Sequence, residues 1–188
     1  MREYRLLLIK ICFMNTTNPR FNIKAEKYFV NDDGIFPNNS LPVLFYPKVL
    51  NLPSLFSSLS VKKLFQKHNW GNNWIQGIYT YHHYHSITHE VLGVCHGETL
   101  LQLGGENGIT VLIQTGDVLV IPAGVAHINL GKENDVTCVG GYPDGRDYDM
   151  NYGKPNERPK ADHNIASLPL PKTDPVFGEQ GGLLDAWK

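Results

Sequence analysis

The chain has 188 residues, a length that fits one domain with a proper hydrophobic core. Hydrophobic residues make up 41% of it and charged residues 19%, which is ordinary for a globular protein. A formal net charge of −1 gives no positive surface for nucleic acid or an anionic membrane, so neither is expected as a partner. No apolar run reaches the roughly 20 residues that span a bilayer.

The cysteines indicate a reducing compartment. Cys12, Cys95 and Cys138 are widely spaced, and no two of them form a C-x-x-C pair. An odd number of cysteines without a disulfide framework is typical of cytoplasmic proteins, so we expect a cytoplasmic location. Cys95 and Cys138 are expected to be small buried residues rather than reactive thiols.

Residues 1–24 are expected to form an N-terminal extension. The apolar run Leu6–Met14 follows two arginines, as in a signal peptide, but Lys10 interrupts it and no small-x-small cleavage site follows. Two alternatives stay open for this segment. Residues 1–13 are an extension that precedes a true start at Met14, or the run is a strand or helix that packs on the domain.

The next part of the chain predicts one strand, an irregular stretch and one helix. Glu26–Val30 is predicted to be a short strand, and the three prolines of Asn38–Pro53 predict an extended, irregular segment. A helix is predicted over about Ser54–Lys67, with Ser54 as its cap and Asn69 as its stop signal. Its helically spaced apolar residues are Leu55, Leu59 and Phe65.

From Trp74 onward, short apolar segments alternate with turns. The predicted strands are Tyr79–Tyr84, Glu90–Cys95, Thr99–Leu103, Ile109–Gln114, Val118–Ile121, Ala126–Leu130 and Val136–Tyr142. Regularly spaced short strands predict an all-β barrel or sandwich, not alternating α/β units. After Tyr142, frequent prolines and glycines predict an irregular tail, and its apolar residues favour a tail laid over the surface.

Four residues in this region have the chemistry of metal ligands. His83 and His85 are two apart, so on a strand their side chains would share one face. Glu90 follows five residues later, and His127 ends a second motif-like stretch just after a Pro-x-Gly turn. Imidazoles and a carboxylate are ligands that divalent transition metals favour, so the question is whether the four side chains converge.

The same stretches resemble the two sequence motifs of the cupin family. The first, G-x5-H-x-H-x4-E-x6-G, and the second, G-x5-P-x-G-x2-H-x3-N, match at nine fixed positions: Gly77, His83, His85, Glu90, Gly97, Gly116, Pro122, Gly124 and His127. The chain departs from the second motif only at the final asparagine, where it has Gly131. Three segments are also similar in sequence to the YjlB-like single-domain bacterial cupins: HHYHSITHEVLG, LQLGGENG and YPDGRDYDMNYGKPNERP.

The resemblance implies a single jelly-roll domain over residues 25–188. Its barrel core would span about 74–142, one short N-terminal helix would pack outside, and the tail 143–188 would wrap around it. It also implies that His83, His85, Glu90 and His127 hold one divalent transition metal. Fe or Mn is favoured, and Zn, Ni or Co is possible. The alternative is a barrel that keeps these histidines as hydrogen-bonded core residues. Cupins often pair through edge strands, so a homodimer is expected.

Strand parity predicts the wall of a small-molecule pocket around the metal. Its predicted members are Tyr79, Tyr81, Leu92, Val94, Asn129 and Arg146. For the tyrosines, core packing is about equally expected, and for Arg146 a salt bridge to a nearby aspartate is the better expectation. His82 and Tyr84 should face away from the metal. His89 could support a ligand if a turn breaks the strand parity, and His96 and His163 should be surface or structural residues.

The resemblance leaves three functions open, because cupins carry out many reactions on one fold. The first, which we favour, is a metal-dependent enzyme that acts on a small organic molecule. Its chemistry would be dioxygenase-like, or decarboxylase- or isomerase-like. The second is a non-catalytic binding or sensing module, and the third is a storage-type barrel. The sequence assigns no catalytic residue beyond the metal ligands and no substrate.

Overall fold

Eight antiparallel strands form the body of the protein in the computed structural model, which describes residues 24–52, 55 and 57–188. They are β1 (Glu26–Val30), β2 (Asn39–Tyr46), β3 (Trp70–Gln76), β4 (Glu90–Leu103), β5 (Ile109–Gln114), β6 (Val118–Ile121), β7 (His127–Asn129) and β8 (Val136–Pro143). The predictions for residues 1–13 and for the apolar run Leu6–Met14 lie outside the described residues.

The long strand β4 belongs to two sheets. Its first half pairs with β6 and β8 in a sheet of order β1-β2-β6-β4-β8-β3, and its second half pairs with β5 and β7. A register shift between Val94 and His96 marks the bend between the halves. No described pairing joins β1 to β3, so the ladder is open rather than a fully closed barrel. Antiparallel sheets that face each other across one core form a jelly roll, which confirms the predicted all-β fold class.

The first sheet is buried on both faces, and β6 shows why. Leu119 and Ile121 point into the core between the two sheets, whereas Val118 and Val120 point to the opposite, outer face. Alternation of side chains along a strand therefore supplies two apolar clusters from four residues. The outer cluster is covered by helix α1 (Ser57–Lys67) and by the C-terminal end of the chain.

Helix α1 confirms the predicted helix but buries a different face. Val61 and Phe65, one turn apart, pack on β4 at Gly93, where a Cβ atom would lie 2.9 Å from each of their side chains. Leu55 and Leu59 are 72% and 49% exposed, so the predicted apolar face was wrong for these two residues and right for Phe65. The predicted cap, Ser54, lies outside the described residues.

The strand predictions fail at four places, of which the first is β3 (Trp70–Gln76), a strand that was not predicted. Tyr79–Tyr84 is not a strand, because its β-pairing within the described residues is limited to two isolated bridges, at His83 and Tyr84. The two strands predicted within residues 90–103 are one continuous strand, β4. The stretch 39–46, predicted to be irregular, pairs with both β1 and β6 as β2.

The tail covers the outer face of the first sheet, but it is not wholly irregular. It contains two short helices, α2 (Lys160–Ser167) and α3 (Gly182–Ala186). Leu183 and Trp187 are buried in the outer cluster, and the indole nitrogen of Trp187 donates to the carbonyl of Pro42 at 2.9 Å. None of the helices in the described ranges is long and apolar enough to cross a membrane.

Candidate metal site

Three buried imidazoles meet at one end of the space between the sheets. One ring nitrogen from each of His83, His85 and His127 lies within 4.8 Å of the other two. Two backbone hydrogen bonds between His83 and His127, of 3.2 and 3.0 Å, bring their rings to a centroid distance of 4.1 Å. The first motif is thus joined to the second by a backbone bridge, although residues 79–84 do not form a strand.

Hydrogen bonds to backbone carbonyls fix the orientation of all three rings. Each Nδ1 faces a carbonyl oxygen: that of Tyr81 for His83 (3.2 Å), Asp149 for His85 (2.5 Å) and Val125 for His127 (3.2 Å). A carbonyl oxygen can only accept, so each Nδ1 carries the hydrogen. In a neutral ring Nε2 then has a lone pair, and this is the form in which histidine binds a metal.

Glu90, the first residue of β4, brings a carboxylate to the same place. It is 3% exposed, and its Oε2 lies 3.5 Å from Nε2 of His85 and 3.4 Å from Nε2 of His127. This oxygen meets no described residue with hydrogen-bond geometry. Two ligands that bind one metal at about 2.1 Å and at right angles are about 3 Å apart. Oε2 therefore lies at about a ligand-to-ligand distance from two of the three imidazoles, while the ligand atoms that all lie within 4.8 Å of one another belong to His83, His85 and His127.

The electrostatics of the centre favour a positive charge inside it. Burial, helped by the ring of His127, lowers the pKa of His83 to about 3. Burial also disfavours the charged form of His85, but the carboxylate of Glu90 together with the carbonyl and carboxylate of Asp149 outweighs this and raises the pKa of His85. Burial alone would raise the pKa of Glu90, yet the imidazoles of His85 and His127 hold it below its usual value. Three lone pairs and a buried carboxylate oxygen fit a divalent cation.

A narrow cavity adjoins these four side chains. The centre of a water molecule can occupy about 20 Å³ of it. Of the predicted pocket residues, Tyr79 and Leu92 line the cavity. The other lining residues are Trp74, Gln76, Gly77, Ile78, Tyr142, Tyr148 and Met150.

Four of the predicted pocket residues lie elsewhere. Tyr81 stacks on Tyr79 at 4.9 Å and is 43% exposed, outside the cavity lining. Val94 packs in the core between the sheets. Asn129 uses its amide to hold the turn that follows β7. Arg146 is half-buried away from the cavity, and no described carboxylate lies within ion-pair distance of it.

The remaining histidines do not contact the three central imidazoles. His82 and Tyr84 face away, as predicted, and both pack against Phe36. The ring of His89 lies 4.8 Å from that of Trp187, on the outer side of the first sheet. His89 therefore does not hydrogen-bond to any of the proposed metal ligands. Two more histidines are exposed, namely His96 and His163.

Two aromatic residues of the cavity wall were missed although strand parity could have found them. Tyr142 shares a face of β8 with Cys138, which belongs to the inner core. Trp74 lies on β3 opposite Gly140, where a Cβ atom would lie 2.0 Å from the indole ring. Glycine at 140 therefore makes room for the indole, whose nitrogen donates to the hydroxyl of Tyr142 at 2.9 Å.

Asp149 had no signal in the sequence, yet it holds the loop that carries His85. Its Oδ1 accepts from the amide of Ser86 at 2.6 Å and its Oδ2 from the hydroxyl of Ser86 at 2.5 Å, while Asn151 donates to Oδ2 at 2.9 Å. The side chain of Asn164, on α2, also donates to the Ser86 hydroxyl, at 2.8 Å. The network connects α2 to the backbone carbonyl that orients His85.

Replacing Asp149 with asparagine should lower the affinity for Co²⁺ by about 10- to 100-fold, the usual effect of losing a group that orients a metal ligand. The new amide hydrogens would face donors in Ser86 and Asn151, and the loop would lose its fixed position. Competition with a chromophoric chelator measures the affinity. Asp147→Asn, at an exposed neighbouring position, is the matched control. Unchanged affinity in Asp149→Asn would show that the network does not position His85.

The strand order and the cluster of three histidines have the form of the cupin fold that the two sequence motifs imply. No family model matches the chain. A protein of Bacillus subtilis (strain 168), described as uncharacterized protein YjlB, is 41% identical over 165 residues, which cover 87% of this chain and 97% of the relative. The chain therefore belongs to the YjlB family.

Solved structures give weaker matches. An acireductone dioxygenase from Bacillus anthracis, with a cadmium ion in its active centre, has a TM-score of 0.39 at 13% identity, over 58% of this chain and 83% of that chain. A DUF861 family protein from Thermotoga maritima has a TM-score of 0.30 at 20% identity, over 48% of this chain and 90% of that chain. Because these scores are low, the fold assignment depends on the strand order and not on these matches.

Proposed function

We propose that this protein is a metal-dependent enzyme that acts on a small organic molecule, with His83, His85, Glu90 and His127 as the metal ligands. One observation carries the proposal: three imidazoles, each held by a backbone carbonyl at Nδ1, converge within 4.8 Å, and a buried carboxylate oxygen of Glu90 lies beside two of them. Fe or Mn is the metal we favour, while Zn, Ni or Co would fit the same donors.

The centre has the properties of a catalytic rather than a structural metal site. Four protein ligands leave one or two positions of a five- or six-coordinate ion for other molecules, and the cavity adjoins them. A metal bound there would supply Lewis-acid or redox chemistry. Glu90, as a ligand, would not serve as a base. The hydroxyl of Tyr142 accepts from Trp74, and its own hydrogen is directed to the carboxylate of Glu90, so this hydroxyl helps to hold the carboxylate in place.

The proposal is tested with protein loaded anaerobically with Fe(II). We expect one metal ion per chain and O2 consumption with at least one member of a panel of thiols, diketones, phenols and organic acids. Turnover without O2 would favour the decarboxylase or isomerase alternative. A wild-type protein that retains no metal would contradict the proposal. Tight retention of a small ligand with no turnover on any metal would favour a binding or sensing module.

We also propose that the protein is a cytoplasmic homodimer. Leu100 and Leu112 are opposite each other on β4 and β5 and are 48% and 50% exposed, next to the edge that β5 forms. A second copy that covers these leucines would remove apolar surface from water. The buried free thiols of Cys95 and Cys138 suit a reducing compartment. A sedimentation mass equal to one chain at micromolar concentration would contradict the dimer.

A further inference from the structure

Beyond the four proposed ligands, the wall of the cavity carries no formal charge. Four aromatic rings form most of it: Trp74, Tyr79, Tyr142 and Tyr148. Three apolar side chains complete it, those of Ile78, Leu92 and Met150. Gln76 contributes the one side-chain amide among the described lining residues. No lysine or arginine in the described ranges reaches this wall, and Arg146 lies outside it.

The polar atoms of this wall are few and partly occupied. The indole nitrogen of Trp74 already donates to the hydroxyl of Tyr142. The rings of Tyr142 and Tyr148 stack at 4.9 Å with an angle of 25° between their planes, so they present apolar faces or edges to a ligand. Hydroxyl groups and one amide can bind a neutral oxygen or nitrogen atom, but they cannot neutralise an ionic group.

These observations restrict the ligand, because a charge buried without a partner is costly. A bound metal would accept one anionic or neutral oxygen donor of the ligand. The rest of the ligand would then contact only aromatic, apolar and uncharged polar groups.

Given the proposed metal centre, on which this step depends, we infer that the substrate is a small molecule with an oxygen donor for the metal and an otherwise uncharged body. Zwitterionic amino acids, dicarboxylates and phosphate esters are therefore poor substrates. The narrow cavity, about 20 Å³ for the centre of a water molecule, restricts that body to a few atoms unless the half-exposed Tyr148 moves. Met150, unbranched and flexible, is the residue of the wall that adapts most easily.

Three hydroxamic acids with one metal-binding head and different ends test the inference. Butyrohydroxamic acid ends in a methyl group, 3-aminopropanohydroxamic acid in an ammonium group, and succinic monohydroxamic acid in a carboxylate. Binding to the Co²⁺-loaded protein is read from the visible absorption of the metal. We expect the methyl compound to bind at least about 10-fold more tightly than either charged compound, because only a charged end must give up its hydration.

Each other outcome overturns a defined statement. Equal or tighter binding of the carboxylate compound would overturn the inference that the body of the substrate is uncharged. Tighter binding of the ammonium compound would do so too, and would show that the four rings act as a cation-binding box. A wild-type protein that takes up no Co²⁺ would overturn the metal centre and, with it, this inference. The two failures are distinguishable. If only this inference is wrong, the protein still binds Co²⁺ but also binds the compounds with charged ends.

A substitution in the wall provides the reverse test. Met150→Lys places a cation beside the cavity, so the carboxylate compound should bind at least about 10-fold more tightly to it than to the wild type. Met150→Leu, which keeps the wall apolar, is the control. It should bind the three hydroxamic acids in the same order of affinity as the wild type. If Met150→Lys takes up Co²⁺ normally but binds the three hydroxamic acids in the same order of affinity as the wild type, the wall does not select by charge.

Discussion

Replacing His85 with alanine is expected to lower the affinity for Co²⁺ or Zn²⁺ by more than about 100-fold, because even groups that only orient metal ligands contribute 10- to 100-fold. The substitution removes the Nε2 atom that the carbonyl of Asp149 directs toward the centre. It also leaves Oε2 of Glu90 with one imidazole neighbour instead of two. Equilibrium dialysis followed by metal analysis measures the loss.

His96→Ala is the matched control, since it removes an exposed histidine from the same strand that begins with Glu90. It should bind metal as the wild type does. Circular dichroism shows whether each variant keeps its β structure. A folded His85→Ala protein with a full complement of tightly bound metal would remove His85 from the proposed ligand set.

Asp174→Ala is expected to lower the free energy of unfolding by about 3–5 kcal/mol, because each buried donor that is left without an acceptor costs about 1–3 kcal/mol. Asp174 is fully buried beneath the C-terminal segment. Its Oδ2 accepts from the hydroxyl of Tyr46 at 2.6 Å and from the amide of Leu183 at 3.1 Å. Its Oδ1 accepts from the amides of Val176 and Phe177 at 2.8 and 3.1 Å. Alanine would leave these four donors without their partner.

Urea denaturation measures the change, and Asp185→Ala is the control. Asp185 lies in α3 of the same segment but is exposed, so its loss should change the stability by less than about 0.5 kcal/mol. Asp174 lies on the outer side of the first sheet, away from the histidines, so folded Asp174→Ala should still bind Co²⁺. A stability loss no larger than that of the control would show that the network does not hold the C-terminal segment.

The sequence predicted most of the sheet because strand alternation is a local property. Val118–Ile121 and Ile109–Gln114 are strands with the predicted bounds. The spacing of His83 and His85 also indicated a shared direction, and the structure does bring both rings to His127. The local reason was wrong, since residues 79–84 are not a strand. The rings converge because a backbone bridge and carbonyl acceptors hold them, and no spacing rule describes these.

The rest of the site depends on the path of the tail, which has no periodicity to reveal it. Tyr148 and Met150 line the cavity, and Asp149 between them orients His85, because residues 148–151 cross the open end of the fold. Paired backbone hydrogen bonds between Tyr84 and Asn151 hold this crossing. A proline- and glycine-rich sequence predicts an irregular segment, but the contacts of such a segment are set by tertiary packing.

If the proposed metal is bound, the contact between His85 and the carbonyl of Asp149 would join metal occupancy to proteolytic lifetime. A ligand that binds only the folded form stabilises it by about 2.7 kcal/mol at 100 times its dissociation constant. Part of that gain would hold residues 148–151 in place, since the carbonyl of Asp149 is the acceptor for Nδ1 of His85. We expect proteases to cut the metal-free protein at this crossing more readily than the metal-loaded protein.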